Sequence, residues 1–503
     1  MQHILFSLCL LGSLLLHQAP TALAQEMVSS VAELSEAWSA AEPGDVITLA
    51  AGTYDVDRNL TTPRDGRDGA PITVRGPESG EALIRFSRSD GGVVEGFKVQ
   101  HAYWHFEGLV LEGGCADDSR CEHAWHLAGN ADHVVIRGCI ARNFNAHIKA
   151  NGQGSSGPSN FPDDVLIEGN EFYSTAVRDT NTPVTPIDVV GGRRWVVRAN
   201  FIHDHAKGRS DGISYAAFLK GGSADGIIER NLVICELLHS GQTRLGLSFG
   251  GGGTGPASVC EGGSCSPEHT GGIMRNNLVV NCPADVGVFV RECDGCLVLH
   301  NTLFNTSGID FIENSTGAAR GNLLSGRIRD RLGSSTSSED NLSMVSLEDF
   351  RAWFRDPDAA DFRLAGDGAS FIDVASSVPE VTDDYCRNPR RDGQHDIGAL
   401  EYGDATVCDT TMPGWGDSEP GPMPDAGMPM SDAGATSDAG SMADAAAEDA
   451  AAGDAAAGAG PMTAEGGCGC RIGNQGRPFL SSGSHSVGLV GLLLALWIRR
   501  RRD

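Results

Sequence analysis

One short pattern, an apolar run that ends in asparagine, recurs through the middle of the chain. The runs VLIEGN, WVVRAN and IIERN end at Asn170, Asn200 and Asn231, and later copies end at Asn277, Asn301 and Asn322. An earlier copy, HVVIRGC, has Cys139 in the asparagine position. Successive copies are roughly 20–30 residues apart, except for one longer insertion before Asn277. A unit of this length cannot bury its own apolar face, so the units must stack on one another.

The composition of the runs identifies the stacked element. They are rich in Val, Ile and Leu and are bounded by Gly, Asn and Asp, which is typical of short β-strands. Leucine-rich repeats have a similar unit length, but their leucine spacing and recurring helix are missing, and a β-propeller needs four strands in each unit. The pattern therefore predicts an all-β fold, a right-handed parallel β-helix with three strands per turn. Asparagine suits a tight bend in each turn, since it tolerates left-handed φ and bonds nearby backbone.

The predicted solenoid domain spans residues 28–402 and carries a cap at each end. Its entry, VAELSEAWSAAEPGDVITLAAGTYDV, is similar to the cap helix and first turn of many secreted β-helix proteins. The closing segment HDIGALEY resembles the last strand of the same broad superfamily. The segment LEDFRAWFRDPDAADFRLA is expected to cover the final turn. Such caps stop the open ends of a solenoid from pairing with other chains.

Residues 1–24 have the features of a secretory signal peptide. The apolar run ILFSLCLLGSLLL precedes Ala-Leu-Ala, an A-x-A cleavage site. Export to an oxidising compartment favours disulfides among the remaining cysteines, although sequence alone does not fix their connectivity. Close spacing predicts the pairs Cys115–Cys121, Cys260–Cys265 and Cys293–Cys296, and Cys386 is a candidate partner of Cys408. The C-x-x-C spacing of the third pair also fits a redox or zinc half-site, but no second pair completes such a site.

The C-terminal hundred residues have three parts. Residues 403–467 are rich in Asp, Ala, Gly, Pro and Met and contain no Lys or Arg, which predicts a disordered, self-repelling spacer. Cys468-Gly-Cys470 follows, then the apolar segment VGLVGLLLALWI and four arginines, 499–502. This arrangement is similar to the C-terminal sorting signal of myxobacterial surface proteins. The resemblance implies that Cys468 or Cys470 is the processing and anchoring position and that the protein is held at the cell surface. A plain membrane anchor is the alternative.

The charge of the chain limits its partners. The formal net charge is −28, and the spacer contributes twelve carboxylates without one base. Nucleic acid is therefore excluded as a partner. A polyanionic polysaccharide would be repelled unless a local basic patch or calcium intervenes. Arg193-Arg194 and the set Arg327, Arg329 and Arg331 are such patches.

Lys220 is the first candidate functional residue. It precedes Gly221-Gly222, and the same paired glycines recur one unit earlier after Val190. We interpret the glycines as scaffold and the lysine as an addition to it. Following its position through the units gives the predicted column Val190, Lys220, Phe249, Arg291 and Glu313. A solvated strand face is the alternative interpretation, because long charged side chains commonly point outward from a β-helix.

The strand FLKGG resembles one element of a lyase site. Secreted β-helix proteins are similar to polysaccharide lyases and hydrolases, and one alginate and chondroitin lyase family has a lysine strand followed by an arginine strand. The resemblance implies that Lys220 is the base of a β-elimination, whose developing enolate an arginine or a cation neutralises. Phe249 occupies the position expected for the arginine, so that element is missing. The remaining catalytic candidates are His239, Arg244, Arg291 and Glu313.

Two further sets of residues have suitable chemistry. His203, Asp204, His205 and Asp211 are candidate metal ligands, with His203 and His205 on one face if they lie on a strand. Calcium is a candidate cofactor. A hydrolase would instead need paired carboxylates, for which Asp188, Asp211 and Glu236 are candidates.

Two functions from different classes follow. The first is a surface-tethered enzyme that cleaves a polysaccharide, by elimination. The second is a noncatalytic β-helix that binds glycans or serves as surface structure. An enzyme requires Lys220 and a second polar group to converge on one groove. The loop of residues 250–270 is expected to form one wall of that groove, with His239 or Arg244 nearby.

Overall fold

A computed structural model describes residues 25–153, 160–391, 393–403 and 407–411. Three long parallel sheets run along the molecule, and between His123 and Leu324 each turn contributes one strand to each of them. The twelve strands of sheet A are Gln25–Val28, Val46–Leu49, Ile72–Arg75, Trp104–Glu107, Val135–Arg137, Leu166–Glu168, Val196–Arg198, Ile227–Glu229, Ile273–Arg275, Cys296–Leu299, Thr316–Arg320 and Ser335–Glu339. The ten strands of sheet B are Gly52–Val56, Ala82–Phe86, Val110–Gly113, Ile140–Arg142, Glu171–Tyr173, Phe201–His203, Leu232–Ile234, Leu278–Cys282, Thr302–Thr306 and Leu323–Leu324.

Sheet C is shorter and begins later in the chain. Its eight strands are His123–Ala128, Ala146–Asn151, Ile187–Val190, Ile213–Lys220, Thr243–Phe249, Val288–Arg291, Gly308–Ile312 and Arg327–Arg331. A parallel pair, Leu60–Thr61 and Phe97–Val99, lies at its N-terminal end. The minor strands are Ser223–Ala224, His269–Thr270 and Cys293–Asp294 in one sheet, and two antiparallel pairs, Phe354–Asp356 with Asp361–Leu364 and Ala375–Ser376 with Gln394–His395. The predicted parallel β-helix is confirmed.

The helices are few and short. Helix α1 is Val31–Ala40 and helix α2 is Leu347–Trp353. Four 3-10 turns occur at Asp118–Arg120, Ala257–Val259, Glu261–Gly263 and Pro357–Ala359. Helix α1 covers the first turn as expected: Ser30 caps it by accepting the N–H of Glu33, and Trp38 stacks on Phe97 with ring centres 5.2 Å apart. In the described residues no helix is long and apolar enough to cross a membrane.

A buried ladder of asparagine amides connects the turns. The side chain of Asn170 donates to the Oδ1 of Asn200 at 2.9 Å, and that of Asn200 donates to the Oδ1 of Asn231 at 3.0 Å. The same Oδ1 of Asn231 also accepts the backbone N–H of Asn200, and the ladder continues through Asn277, Asn301 and Asn322. Cys139 occupies the first position, where its N–H donates to Asn170. The stacking predicted from the spacing is confirmed.

The bend that holds the ladder is two residues long in each of these turns, but its left-handed residue is not the asparagine. Ala199 (φ 53°), Arg230 (φ 53°) and His300 (φ 49°) adopt left-handed φ directly before an asparagine of the ladder. The asparagine itself supplies hydrogen bonds, as when the Nδ2 of Asn200 donates to the carbonyl of Ile167 at 2.9 Å. Asparagine is therefore used here for its amide and not for its backbone tolerance.

The C-terminal segment corrects two expectations. HDIGALEY is not the last strand of the solenoid: Gly398 donates its N–H to Gly321, and Ala399 donates to the hydroxyl of Thr302, from outside the turns. Helix α2 lies on the outer face of sheet B, where Phe350 contacts Phe304 at 5.2 Å between ring centres, and does not close the open edge. The outward side chains of sheet B are apolar in these turns and have to be buried. Leu232, Leu278 and Phe304 are members of this second core.

The outer face of sheet A neutralises its own charge. One residue per turn forms a column of alternating sign, Arg75, Glu107, Arg137, Glu168, Arg198, Glu229 and Arg275. Glu168 contacts Arg137 at 2.9 Å and Arg198 at 2.6 Å. Opposite charges on neighbouring strands stabilise a sheet modestly. With sheet A paired and sheet B covered, sheet C is the face available to a ligand.

Five disulfides are formed among the residues that the structure describes. The structure joins the four pairs named from the sequence: Cys115–Cys121, Cys260–Cys265, Cys293–Cys296 and Cys386–Cys408. The fifth, Cys235–Cys282, was not anticipated, because its cysteines are 47 residues apart and meet only when consecutive turns stack.

Replacing one rung tests the ladder. In Asn231→Ala, the backbone and side-chain N–H groups of Asn200 lose their acceptor in a fully buried position. Two unsatisfied buried donors should lower the free energy of unfolding by about 2–5 kcal/mol. Chemical denaturation measures this, with Asn160→Ala, an exposed asparagine outside the ladder, as the matched control. Equal midpoints for the two variants would contradict the role of the ladder.

Candidate functional site

Chain length varies mainly around sheet C. Between Arg137 and Thr302, every bend from sheet A to sheet B is two residues long. The connections around sheet C are longer: residues 174–186 lead into it, and residues 250–272 lead out of it. Long connections on a solenoid usually build its binding face. The outer face of sheet C is therefore a floor with loops along both sides.

Two columns of side chains point outward from this floor, one residue per strand in each. The first column is His126, Lys149, Asp188, Phe218, Ser248, Phe289, Asp310 and Arg329. The second begins Asn151, Val190, Lys220, continues in register at Gly250, and ends Arg291, Ile312, Arg331. Core residues such as Ala150 and Leu219 lie between the two columns and point inward.

The column predicted from the sequence is wrong at two of its five members. Phe249 pairs with Leu219 and is fully buried, so Gly250 is the residue level with Lys220. Arg291 pairs with Ile312, and Glu313 is the left-handed bend residue that follows, at φ 55°. Val190, Lys220 and Arg291 do share one column, as predicted.

Lys220 lies against the glycine loop. Its Nζ donates to the carbonyl of Gly253 at 3.3 Å and lies 4.2 Å from the ring centre of Phe218. The loop is held beside it by Glu268, which accepts the N–H of Gly221 and the hydroxyl of Thr254, both at 2.7 Å. Burial raises the pKa of Glu268, although these hydrogen bonds and the charge of Lys220 act against that shift.

Arg291 reaches the same loop from the other side. It donates to the carbonyl of Gly252 and pairs with Glu313, whose Oε2 lies 2.7 Å from its Nε. Lys220 and Arg291 are separated by two strand spacings, about 10 Å. The structure thus brings Lys220, Arg291 and Glu313 to one region and places the backbone of Gly252 and Gly253 between the two cations.

His239 and Arg244 lie near the N-terminal ends of the sheet C strands, whereas Lys220 lies at the C-terminal end of its strand. Their expected position beside Lys220 is therefore wrong. Arg244 pairs in register with Ser214, six residues before Lys220 on the neighbouring strand, which is about 20 Å away. Its side chain is 1% exposed and donates to the carbonyls of Gly241 and Cys235 and to the Nδ1 of His239. These two residues shape the connection into sheet C.

The four candidate metal ligands do not form a site. The Nδ1 of His203 lies 2.7 Å from Asp204, and its Nε2 lies 3.3 Å from Glu171. The left-handed Asp204 (φ 53°) turns the chain, so that His205 points inward to the carbonyl of Leu245 instead of sharing a face with His203. Asp211 pairs with Lys207. The ring nitrogens and carboxylates of these residues are thus occupied by protein contacts, except the buried Nδ1 of His205, for which the described residues provide no hydrogen-bond partner.

Calcium requires several oxygen ligands around one point. Among the described residues, one such group is found, Asp373, Asp396 and Glu401, and it lies in the C-terminal segment. Asp396 accepts the N–H groups of Asp373 and Tyr402, and Glu401 pairs with Arg390, so the group fits a structural role. The residues do not fit a calcium site at sheet C.

The carboxylates considered for a hydrolase are also engaged separately. Asp188 pairs with Lys149 and Asp211 with Lys207, while Glu236 accepts the N–H of Gly241. Two concavities, of about 330 and 340 Å³, are found at the C-terminal end of the solenoid, lined by residues such as Arg327 and Met344. Neither includes Lys220.

Sequence reasoning missed the distribution of lysine. The chain has four lysines among its 38 basic residues, namely Lys98, Lys149, Lys207 and Lys220. Lys98 and Lys149 each stand between two fully buried residues of a strand and so point outward, as Lys220 does. Three of the four lysines thus project from one face, and Lys207 lies in a connection at its border. The scarcity of lysine is visible in the sequence, but the face from which each lysine projects is known only from the strand register of the structure.

The N-terminal part of the face has its own polar group. Glu95 contacts the Nζ of Lys98 at 2.7 Å and the Nδ1 of His126 at 2.8 Å, and the Nε2 of His126 lies 2.8 Å from the Oδ1 of Asn151. The hydrogen bond with His126 lowers the pKa of Glu95, whereas burial raises it, and the net result is a pKa of about 2. Glu95 is therefore an anion that fixes two neighbouring basic side chains.

The comparisons with known proteins agree with the fold. No family model matches the chain. Pectate lyase L of Dickeya dadantii (strain 3937) is 37% identical over 86 residues, covering 15% of this chain and 20% of that protein. Pectate lyase L of Dickeya chrysanthemi is 33% identical over 92 residues, 16% and 22% of the two chains. The chain thus matches about a fifth of the length of these curated relatives.

A solved structure extends the likeness over the solenoid. Pectate lyase Pel9A aligns with a TM-score of 0.51 at 15% identity, covering 76% of this chain and 98% of that one. At this identity the likeness establishes the fold. The protein is a pectate-lyase-like parallel β-helix.

The contacts of His203 predict a pH dependence. Burial disfavours its protonation, but hydrogen bonds to Asp204 and Glu171 outweigh burial and raise its pKa. Because the folded pKa is above the unfolded value of about 6.5, this stabilisation is complete below that value and is lost as the pH rises through the folded pKa. The difference in unfolding free energy between the parent and His203→Gln should therefore be larger at pH 6 than at pH 9. Denaturation at the two pH values measures it, and a difference independent of pH would contradict the assignment.

Proposed function

We propose that the protein is an extracellular, surface-displayed polysaccharide lyase that holds an acidic polysaccharide along the outer face of sheet C. The observation that carries the proposal is the collection of three of the four lysines on that face, in a chain of net charge −28. A local basic surface is what such a chain needs in order to attract a polyanion. The pectate-lyase-like fold and the partial likeness to two pectate lyases support the same class of ligand.

Lys220 is the proposed base. In β-elimination from a uronate, the base removes the proton on the carbon next to the carboxylate, and the bond to the leaving sugar oxygen then breaks. A lysine performs this step when its amine is neutral. The ring of Phe218 and the carbonyl of Gly253 contact Lys220 and favour its ammonium form. The charge of Arg291 in the same column disfavours a second cation, and a bound sugar that replaces the Gly253 carbonyl would shift Lys220 further toward the neutral amine.

Arg291 is the proposed partner for developing charge. As the proton leaves, negative charge moves onto the carboxylate oxygens, where a fixed guanidinium stabilises it. Arg291 is held by Glu313 and by the carbonyl of Gly252. A sugar between Lys220 and Arg291 would replace the carbonyls of Gly252 and Gly253 as the partner of both cations, so the glycine loop has to move aside. The absence of side chains in residues 250–253 suits such a movement.

The second function, noncatalytic glycan binding, rests on the ion pairs already formed on this face. Lys149 with Asp188 and Arg291 with Glu313 are satisfied within the protein. A binding surface requires no neutral amine. The two functions are distinguished by whether the protein cleaves a polysaccharide or only binds it.

Replacing the proposed base tests the enzyme. Lys220→Ala should lower the rate of unsaturated product formation, read by ultraviolet absorbance on uronic-acid polysaccharides and pectins, by about 100-fold or more. The fold should be unchanged, because an outward substitution of this kind costs little stability. The control is Arg351→Ala on helix α2, which lies on sheet B. If Lys220→Ala cleaves as fast as the parent, Lys220 is not the base, and if the parent cleaves no polymer but binds one, the noncatalytic function holds.

Surface display is the remaining part of the proposal. The signal peptide of residues 1–24, the spacer of residues 403–467 and the anchoring segment from Cys468 to Asp503 lie outside the described residues, apart from a few at the start of the spacer. Several disulfides and the extracellular nature of pectin-degrading chemistry support export.

The form of the mature protein tests the anchor. If the C-terminus is a sorting signal, the protein isolated from the cell surface should begin near Gln25 and end near Cys468 or Cys470. Mass spectrometry of its terminal peptides measures both ends. Retention of the four arginines at 499–502 would contradict processing and favour a plain membrane anchor.

A further inference from the structure

Cationic side chains on the outer face of sheet C occur on alternate turns. Lys149, Lys220, Arg291 and Arg331 lie on every second strand of the sheet, and Lys98 lies on the strand Phe97–Val99 beside the first one. The strands between them carry outward pairs without Lys or Arg: Asp188 and Val190, Ser248 and Gly250, and Asp310 and Ile312. His126, between Lys98 and Lys149, has both ring nitrogens engaged by Glu95 and Asn151.

The spacing of these cations is set by the backbone. Two strand spacings of about 4.8 Å place successive cations about 9.6 Å apart along the solenoid. This distance is of the order of one disaccharide unit in an extended polysaccharide. A ladder fixed in register by buried amides cannot adjust the spacing without breaking hydrogen bonds.

We propose that this face selects acidic polysaccharides that carry one anionic group on every second sugar. The inference rests on the proposed placement of a glycan along sheet C, and it adds the charge pattern of that glycan. Each anionic group would lie over a cation, and each uncharged sugar would lie over an intervening turn.

The ion pairs on the face hold the cations in position for this purpose. Lys98 is paired with Glu95 and Lys149 with Asp188, each at 2.7 Å, and Arg331 is paired with Asp310 at 2.7 Å. An ammonium has three donors and a guanidinium five, so a ligand anion can add to each pair without displacing the protein carboxylate.

The intervening turns disfavour a denser charge pattern. A polymer with an anionic group on every sugar would place half of its charges over the intervening turns, where Asp188 and Asp310 lie. Asp188 and Asp310 are paired with cations of neighbouring turns, and the two outward positions of each intervening turn hold no Lys or Arg to receive these charges. The net charge of −28 adds a long-range repulsion. The pattern therefore disfavours polyuronates as well as favouring alternating polymers.

Binding of polymers that differ in charge spacing tests the inference. Hyaluronan and unsulfated chondroitin carry a carboxylate on every second sugar, polygalacturonate carries one on every sugar, and dextran carries none. The purified protein should bind at least one alternating polymer about tenfold or more tightly than polygalacturonate, a difference of about 1.4 kcal/mol, at one fixed ionic strength. Lys149→Met should weaken that binding by about tenfold, whereas Arg351→Met, which lies away from sheet C, should not change it.

Two results would overturn the inference. One is equal or tighter binding of polygalacturonate than of both alternating polymers, and the other is unchanged binding by Lys149→Met. Unsaturated product is measured in parallel on all of the polymers. A preference for alternating polymers without any cleavage would contradict the proposed elimination but support the charge pattern. Cleavage of polygalacturonate alone would support elimination but contradict the charge pattern.

Discussion

The buried asparagine ladder is the constraint on which the rest of the molecule depends. Each amide accepts two hydrogen bonds from the turn before it and donates to a backbone carbonyl, in positions with no access to water. A slip of one residue would leave these groups unsatisfied and would turn core side chains to the solvent. The two-residue bend between sheets A and B is consequently constant, and variation in chain length moves to the connections around sheet C.

Because the strand register is fixed, side chains at equivalent positions of successive turns line up and form continuous surfaces. On sheet A it aligns arginine and glutamate on alternate turns, so the charges neutralise one another. On sheet B it aligns apolar side chains such as Leu278 and Phe304, which the C-terminal segment covers. On sheet C it places Lys149, Lys220 and Arg291 on every second strand, Lys149 in the first outward column and the other two in the second. The proposed function and its charge pattern are both consequences of this last alignment.

The sequence predicted the periodic part of the structure and failed where periodicity ends. The asparagine spacing gave the turns and the ladder, because every copy obeys the same packing. The position level with Lys220 was misassigned, since the four glycines from Gly250 to Gly253 align equally well with Gly221-Gly222 in several ways. The path of the C-terminal segment was also missed, although strands such as NLVV and NTLF are apolar on both faces, which indicates burial from both sides. The outward orientation of Lys98 and Lys149 could not be predicted, because nothing nearby in the sequence marks which way a single strand residue points.

The central claim, that an acidic glycan lies along sheet C, is tested most directly by chemical labelling of the lysine amines. With four lysines in the chain, mass spectrometry can follow the modification rate of each one with and without a polymer that the protein binds. The account predicts that the polymer slows modification of Lys98, Lys149 and Lys220 together, while the buried Lys207, whose side chain is 7% exposed, keeps its own slow rate. Unchanged rates at Lys98, Lys149 and Lys220 in the presence of a saturating, bound polysaccharide would contradict it.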